Sequence, residues 1–161
     1  MDGLNLQPAV ADLAAALRAR GWRVAAAESC TGGLIAAACT SLAGSSDWFE
    51  RGFVTYSNEA KIAMLGVPPA LIAAHGAVSE VVARAMVRGA LQQAPVHLAV
   101  AVTGIAGPGG AVPGKPVGTV WLAWGTADDV HAERLQLPGD RAAVRGATVA
   151  AALQRLIEAA R

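Results

Sequence analysis

Ala25-Ala26-Ala27-Glu28-Ser29-Cys30-Thr31-Gly32-Gly33-Leu34 is the stretch from which the rest of the chain can be read. Short apolar residues run into Glu-Ser-Cys-Thr, two glycines follow, and a helical pattern begins. This predicts a buried strand, a tight turn and a helix N-terminus, the alternation from which α/β folds are built. Such a turn can hold a hydroxyl or thiol at its apex, beside the free N–H groups of the helix's first turn. A nucleophile and an anion site would then lie within a few residues of each other. A second reading is open at this point: Ser29 or Thr31 caps the helix, and Gly32 and Gly33 only permit close packing.

Outward from this stretch the alternation continues. Before it, Leu6 to Arg20 carries Val10, Leu13, Ala14 and Leu17 at helical spacing and closes on Gly21. Trp22 to Ala27 is the first strand. After it, Gly32 to Ala43 reads as a helix stopped by Gly44-Ser45-Ser46-Asp47. Trp48 to Tyr56 reads as a strand with Phe49 and Phe53 on one face and Val54 on the other. Asn58 is placed to cap a helix to Leu65, with Gly66 after it and Pro68-Pro69 beyond. Pro69 to His75 adds a short helix. Ser79 caps Glu80 to Gln93, with Val82, Ala85, Met86 and Ala90 facing inward. Val96 to Val102, apolar apart from His97, reads as a central strand. Gly104 to Pro116 is a Gly/Pro loop. Thr119 to Trp124 and Val130 to Leu137 are strands of a hairpin joined through Gly125 to Asp129. Asp140 caps a long final helix. The pattern predicts a three-layer α/β/α sandwich, a mixed sheet covered by helices on both faces.

At 161 residues the chain suits one domain spanning 1–161. With 54% hydrophobic and 16% charged residues, a disordered chain is excluded. A net charge of +1 gives no reason to expect nucleic acid or an anionic membrane as partner. Met1-Asp2-Gly3-Leu4-Asn5 lacks the basic region and apolar run of a secretion signal. The uncharged run Ser29 to Ser46 is too rich in Ser, Thr and Gly to cross a membrane. A cytoplasmic location is therefore expected. Cys30 and Cys39 form neither a zinc pattern nor a disulfide framework, and His75, His97 and His131 are scattered, so no metal is expected.

The Gly/Pro loop fits neither of two phosphate motifs. Gly109 to Lys115 matches G-x-x-x-x-G-K, but Pro116 follows where a Ser or Thr hydroxyl should meet Mg²⁺, and a strand follows instead of a helix. Gly104-Ile105-Ala106-Gly107-Pro108-Gly109 is not the dinucleotide fingerprint G-x-G-x-x-G. What survives is a glycine-rich loop after a central strand, where α/β sheets bind ligands; a plain surface loop is the other reading.

Three polar features resist a packing explanation. Tyr56 ends a strand, and Lys61 falls in a first helical turn, where the helix dipole disfavours it. Arg141 and Arg145 share a face near the start of the last helix, also against the dipole unless an anion sits between them. The competing readings are a solvated Lys61 and surface arginines partnering Asp140 or other acids.

Four segments together resemble the C-terminal domain of competence-damage protein CinA: Ala27-Glu28-Ser29-Cys30-Thr31-Gly32-Gly33, Thr55-Tyr56-Ser57-Asn58-Glu59-Ala60-Lys61, Thr103-Gly104-Ile105-Ala106-Gly107-Pro108-Gly109-Gly110 and Lys115-Pro116-Val117-Gly118-Thr119-Val120. The resemblance covers nearly the whole chain, and only Ala111 to Gly114 is looser than the family pattern. Larger members carry a further N-terminal domain. Stand-alone versions are nicotinamide-nucleotide amidases. The resemblance implies hydrolysis of the carboxamide of nicotinamide mononucleotide to nicotinate mononucleotide and ammonia, in pyridine-nucleotide salvage. It also implies a three-layer fold, no cofactor or metal, a small-molecule nucleotide as partner, and usually a homodimer.

Amide hydrolysis needs a nucleophile, a base, an oxyanion site and an acid for the departing ammonia. Ser29 is the candidate nucleophile. No histidine lies in the four segments, so Lys61 is the natural base, as in Ser–Lys variants of the serine triad. Bringing a lysine from its reference pKa of about 10.4 to near 7 costs about 4.6 kcal/mol, within what burial supplies. Tyr56 holds Lys61 or relays a proton. N–H groups around Thr31, Gly32 and Gly33 form the oxyanion site, and Thr103, Gly104 and Gly107 grip the nucleotide. Arg141 and Arg145 take its phosphate. Two alternatives remain: an amidase with Cys30 as nucleophile, and a non-catalytic nucleotide-binding or partner-binding module.

Overall fold

In the computed structural model, which describes residues 4–161, the first strand lies inside a five-stranded sheet. The expectation that the chain opens without a secretion signal falls partly on Met1–Gly3, which lie outside the described residues. The elements are α1 (Gln7–Arg20), β1 (Val24–Glu28), α2 (Leu34–Thr40), β2 (Phe49–Val54), α3 (Asn58–Leu65), α4 (Pro69–His75), α5 (Glu80–Gln93), β3 (Leu98–Gly104), β4 (Thr119–Gly125), β5 (Val130–Gln136) and α6 (Arg141–Ala160). The sheet order is β2-β1-β3-β4-β5. β1 runs parallel to both β2 and β3, while β3–β4 and β4–β5 are antiparallel. The expected mixed sheet is thus present, with helices on both faces.

Side-chain alternation builds the two cores. Val24 and Ala26 of β1, Leu98, Val100 and Val102 of β3 and Leu122 of β4 pack with α1, α2 and α6. The intervening Ala25, Ala27, Ala99, Ala101 and Ala123 pack with α3 and α5. The second set is all alanine, so α5 lies close to the sheet. Its Gly89 sits so near α3 that a Cβ there would fall on the Leu65 carbonyl. Glycine inside a helix is unfavourable by about 1 kcal/mol relative to alanine; this helix crossing requires it.

The structure revises several local readings. Phe49 packs with the α1/α6 core and Phe53 with the α5 core, so they lie on opposite faces. The cause is an irregularity in register, where Val24 pairs with Phe49 but Ala25 with Arg51. One extra residue inverts the alternation beyond it. α2 begins at Leu34, because Gly32 and Gly33 take positive φ of 58° and 105° in the preceding turn. Ser57, not Asn58, caps α3, accepting from the Ala60 N–H. Ser79 precedes α5 without capping it; its hydroxyl donates to the Gly76 carbonyl at 2.8 Å. Asp140 does cap α6, accepting from the Ala143 N–H at 2.9 Å.

Candidate active site

The parallel strands β2, β1 and β3 all end on one side of the sheet, where α/β folds hold ligands. Ser29 follows β1, Thr55 and Tyr56 follow β2, and Thr103 and Gly104 end β3. They meet at a cavity of about 190 Å³ lined by Ser29, Cys30, Lys61, Thr103, Gly104 and Arg141 among others, with Ala77 and Val78 as apolar wall. Tyr56 and Asn58 stand at its exposed side.

Lys61 is only 1% exposed. Its Nζ lies 3.0 Å from Ser29 Oγ, 3.0 Å from the Thr55 carbonyl oxygen and 3.3 Å from that of Tyr56. Among the described residues it forms no ion pair. Burial therefore pushes its pKa down, against a smaller opposing effect of Cys30. In the neutral amine, two N–H groups donate to the two carbonyls, and the lone pair is left for the Ser29 hydroxyl. The turn from Ser57 into α3 sets this geometry, since it reverses the chain and points Lys61 back at the strand ends it has just left.

The Ser29 turn is held from several sides. The Ser29 N–H donates to the Val102 carbonyl at 3.1 Å, and the Ser29 carbonyl accepts from Gly32 N–H at 3.0 Å. Arg145 donates to the carbonyls of Cys30 and Thr31 at 3.0 and 3.2 Å. The amides of Ile35 and Ala36 are taken by the Glu28 carboxylate. Gly32 N–H, expected to be an oxyanion donor, is thus spent inside the turn. Among the described residues, the N–H groups of Cys30, Thr31 and Gly33 donate to no carbonyl or carboxylate. Of these three residues only Cys30 lines the cavity.

The other expected site residues are placed as follows. The Tyr56 hydroxyl does not reach Lys61; it accepts from Arg141 Nη2 at 3.1 Å, while the Tyr56 backbone carbonyl meets the amine. Thr31 Oγ1 is buried and donates to Glu28 at 2.6 Å, so it faces away from the cavity. Thr103 Oγ1 donates to the Ala77 carbonyl at 2.9 Å and holds the cavity wall. Gly104 permits a three-way approach, for a Cβ there would stand 2.6 Å from Val120 Cγ2 and 3.2 Å from Cys30 Sγ. The Gly107 carbonyl accepts from Arg141 Nη1 at 2.9 Å. Arg141 and Arg145 both line a second, larger cavity of about 680 Å³, with Ala106, Pro108 and Val117. Arg141 and Ala106 border both cavities, so the two are neighbours. The Cys30 thiol is pushed up to about 11, chiefly by burial, and is no ready nucleophile at neutral pH. Among the described residues no cluster of His, Cys, Asp or Glu is arranged to hold a metal ion, and no helix is long and apolar enough to cross a membrane.

Sequence reasoning missed the part played by Glu28, which is 0% exposed. The signal was there: a lone carboxylate ending an otherwise apolar central strand must find donors close by.

Fold and site together define a three-layer α/β protein that sets a serine hydroxyl against a buried lysine amine at the C-terminal ends of its parallel strands. The model of the CinA C-terminal domain matches residues 6–160, and the chain belongs to that family. It is 57% identical over 136 residues to the nicotinamide-nucleotide amidohydrolase PncC of Pseudomonas putida, covering 84% of this chain and 85% of that one. To the protein of the same name from Escherichia coli K12 it is 56% identical over 142 residues, covering 88% and 86%. The crystal structure of the competence/damage inducible protein CihA from Agrobacterium tumefaciens superposes with a TM-score of 0.94 at 44% identity, covering 97% of this chain and 96% of that one.

Proposed function

We propose that the protein is a nicotinamide-nucleotide amidohydrolase working through a Ser29 nucleophile and a Lys61 base. The observation that carries this reading is the buried Lys61 amine 3.0 Å from Ser29 Oγ, without an ion-pair partner among the described residues. Two carbonyls fix the direction of its lone pair, and burial favours the neutral form that a base requires. The relatives named amidohydrolases supply the reaction class and the substrate.

Ser29 Oγ attacks the carboxamide carbon of nicotinamide mononucleotide as its proton passes to Lys61 Nζ. The N–H of Cys30, the one residue of Cys30, Thr31 and Gly33 that lines the cavity, donates to the developing oxyanion. Collapse of the tetrahedral adduct expels the amide nitrogen, which takes the proton from Lys61 and leaves as ammonia. Water, deprotonated by the same amine, then attacks the acyl carbon, the acyl–Oγ bond breaks, Lys61 returns the proton to Ser29 Oγ, and nicotinate mononucleotide is released. The small cavity, below the about 300–1,000 Å³ usual for ligand pockets, suits a single amide-bearing ring. The larger cavity beside it takes the ribose and phosphate, with the phosphate on the unused N–H groups of Arg141 and Arg145.

A binding module without catalysis would have no use for a buried, unpaired lysine against a hydroxyl. The same proposal includes one domain over the whole chain, from its length, a cytoplasmic location, from its sequence pattern, and a homodimer, as the family resemblance implies. Its test is ammonia release from nicotinamide mononucleotide by purified protein, with and without a chelator. Stoichiometric conversion in both conditions is expected. Binding of the nucleotide without any ammonia would support the binding module instead.

A further inference from the structure

Glu28 ends β1 and immediately precedes Ser29. Its side chain is 0% exposed, and among the described residues it has no cationic partner. Its carboxylate accepts instead from Thr31 Oγ1 at 2.6 Å, from Ile35 N–H at 2.8 Å and from Ala36 N–H at 3.0 Å. A buried charge without donors is strongly unfavourable, and these three donors offset that. The residue adjoining the helix, Gly33, takes a φ of 105°, where any side chain is strained, and supplies no side-chain cap. The cap is supplied from the strand, across the turn that carries Ser29.

The consequence is a turn clamped on two sides. Glu28 ties Thr31 and the first turn of α2 to the end of β1. Arg145 grips the Cys30 and Thr31 carbonyls. All three donors to Glu28 belong to the turn and α2, and none is Lys61, so the carboxylate does not pair with the buried amine. We propose that Glu28 is a positioning residue for Ser29. Through Thr31 and α2 it fixes the turn so that Oγ faces Lys61 Nζ. This rests on the reading of Ser29 as the nucleophile.

The test uses Glu28→Gln, which keeps the shape but sets an NH₂ against at least one N–H or O–H donor, together with Thr31→Val and Thr31→Ser. Kinetics on nicotinamide mononucleotide are combined with the rate and extent of Ser29 labelling by a fluorophosphonate. Glu28→Gln should keep KM within about twofold and lose about 10²-fold in kcat, the effect of a small misplacement of a reacting group. Its Ser29 should label to completion but slowly. Thr31→Val should show the same slow labelling, and Thr31→Ser should recover most of the rate. Labelling of Glu28→Gln at the wild-type rate overturns the proposal. So does fast labelling to partial extent, because that reports only lost folded protein. If Glu28→Gln does not fold, equal labelling rates in Thr31→Val and wild type overturn it. A wild type that releases ammonia without ever labelling at Ser29 overturns the nucleophile reading, and the proposal with it.

Discussion

Lys61 Nζ stands 3.0 Å from Ser29 Oγ, although 32 positions separate the two residues in the chain. Among the described residues the amine has no carboxylate beside it, and it is buried, so it is biased toward the state in which it can accept the serine proton.

Ser29→Ala should lose at least about 10³-fold in kcat, as expected for removal of a nucleophile. Cys30→Ala should retain most of the rate, since its thiol is held protonated with a pKa of about 11. Steady-state ammonia release by the two variants decides the assignment; the opposite ranking would transfer the nucleophile to Cys30.

Lys61→Arg keeps a cation that cannot deprotonate, so it should be as inactive as Lys61→Ala. In the wild type, kcat/KM should rise with pH as Lys61 loses its proton. It should level off below the usual lysine range, because burial lowers that pKa from 10.5. An arginine variant with substantial activity would mean that Lys61 serves only as a charge.

The same burial makes a stability prediction. Lys61 has a lower pKa folded than unfolded, so between the two values the unfolded chain binds the extra proton. Stability then rises with pH across that window, which ends near 10.5. Urea unfolding of wild type and Lys61→Met at several pH values should show the difference between them moving in favour of wild type as pH rises. A constant difference would mean that the buried amine does not titrate in this window.

Arg141 and Arg145 should act on the phosphate-bearing substrate. Nicotinamide riboside, lacking the phosphate, should be a much poorer substrate than the mononucleotide. Loss of one charge-assisted contact is worth about 1.5–3 kcal/mol, so Arg141→Ala should narrow that gap by about 10-fold or more. Arg145→Ala should also slow both substrates, because Arg145 holds the Cys30 and Thr31 carbonyls. Equal losses on both substrates in Arg141→Ala would remove it from phosphate binding.

Gly89→Ala should destabilise the protein by about 1–3 kcal/mol through overpacking against the Leu65 carbonyl. Because α3 also carries Lys61, the folded variant should lose kcat as well. Chemical denaturation and kinetics on the same preparation test both. An unchanged rate would show that α3 can yield at Leu65 without moving Lys61.

Much of this protein could be read from the chain alone. Periodicity located every α-helix and strand within a few residues, since the apolar run of β3 and the helical spacing in α5 depend only on neighbours in sequence. The β3 run, Leu98–Gly104, is buried along nearly its whole length, as a central strand should be. The chain also singled out Ser29 and Lys61 as candidates. One sits on a strand–turn–helix junction, and the other is a lysine where the helix dipole disfavours it.

What the chain alone did not determine was decided by contacts between residues distant in sequence. The register irregularity that sends Phe49 and Phe53 to opposite faces depends on the pairing of β2 with β1, which no local pattern encodes. The placing of the Ser29 turn follows from its N–H donating to the Val102 carbonyl of β3 and from Arg145 of α6 gripping the Cys30 and Thr31 carbonyls. The Tyr56 hydroxyl goes to Arg141, 85 positions away, and only its backbone carbonyl meets Lys61. Residue types and spacing carry the chemistry that a site can perform, because side-chain reactivity and local periodicity are properties of the sequence. Which atom faces which, and which amine is withdrawn from water, are set by burial and long-range packing, and these exist only once the sheet and its two helical layers have formed.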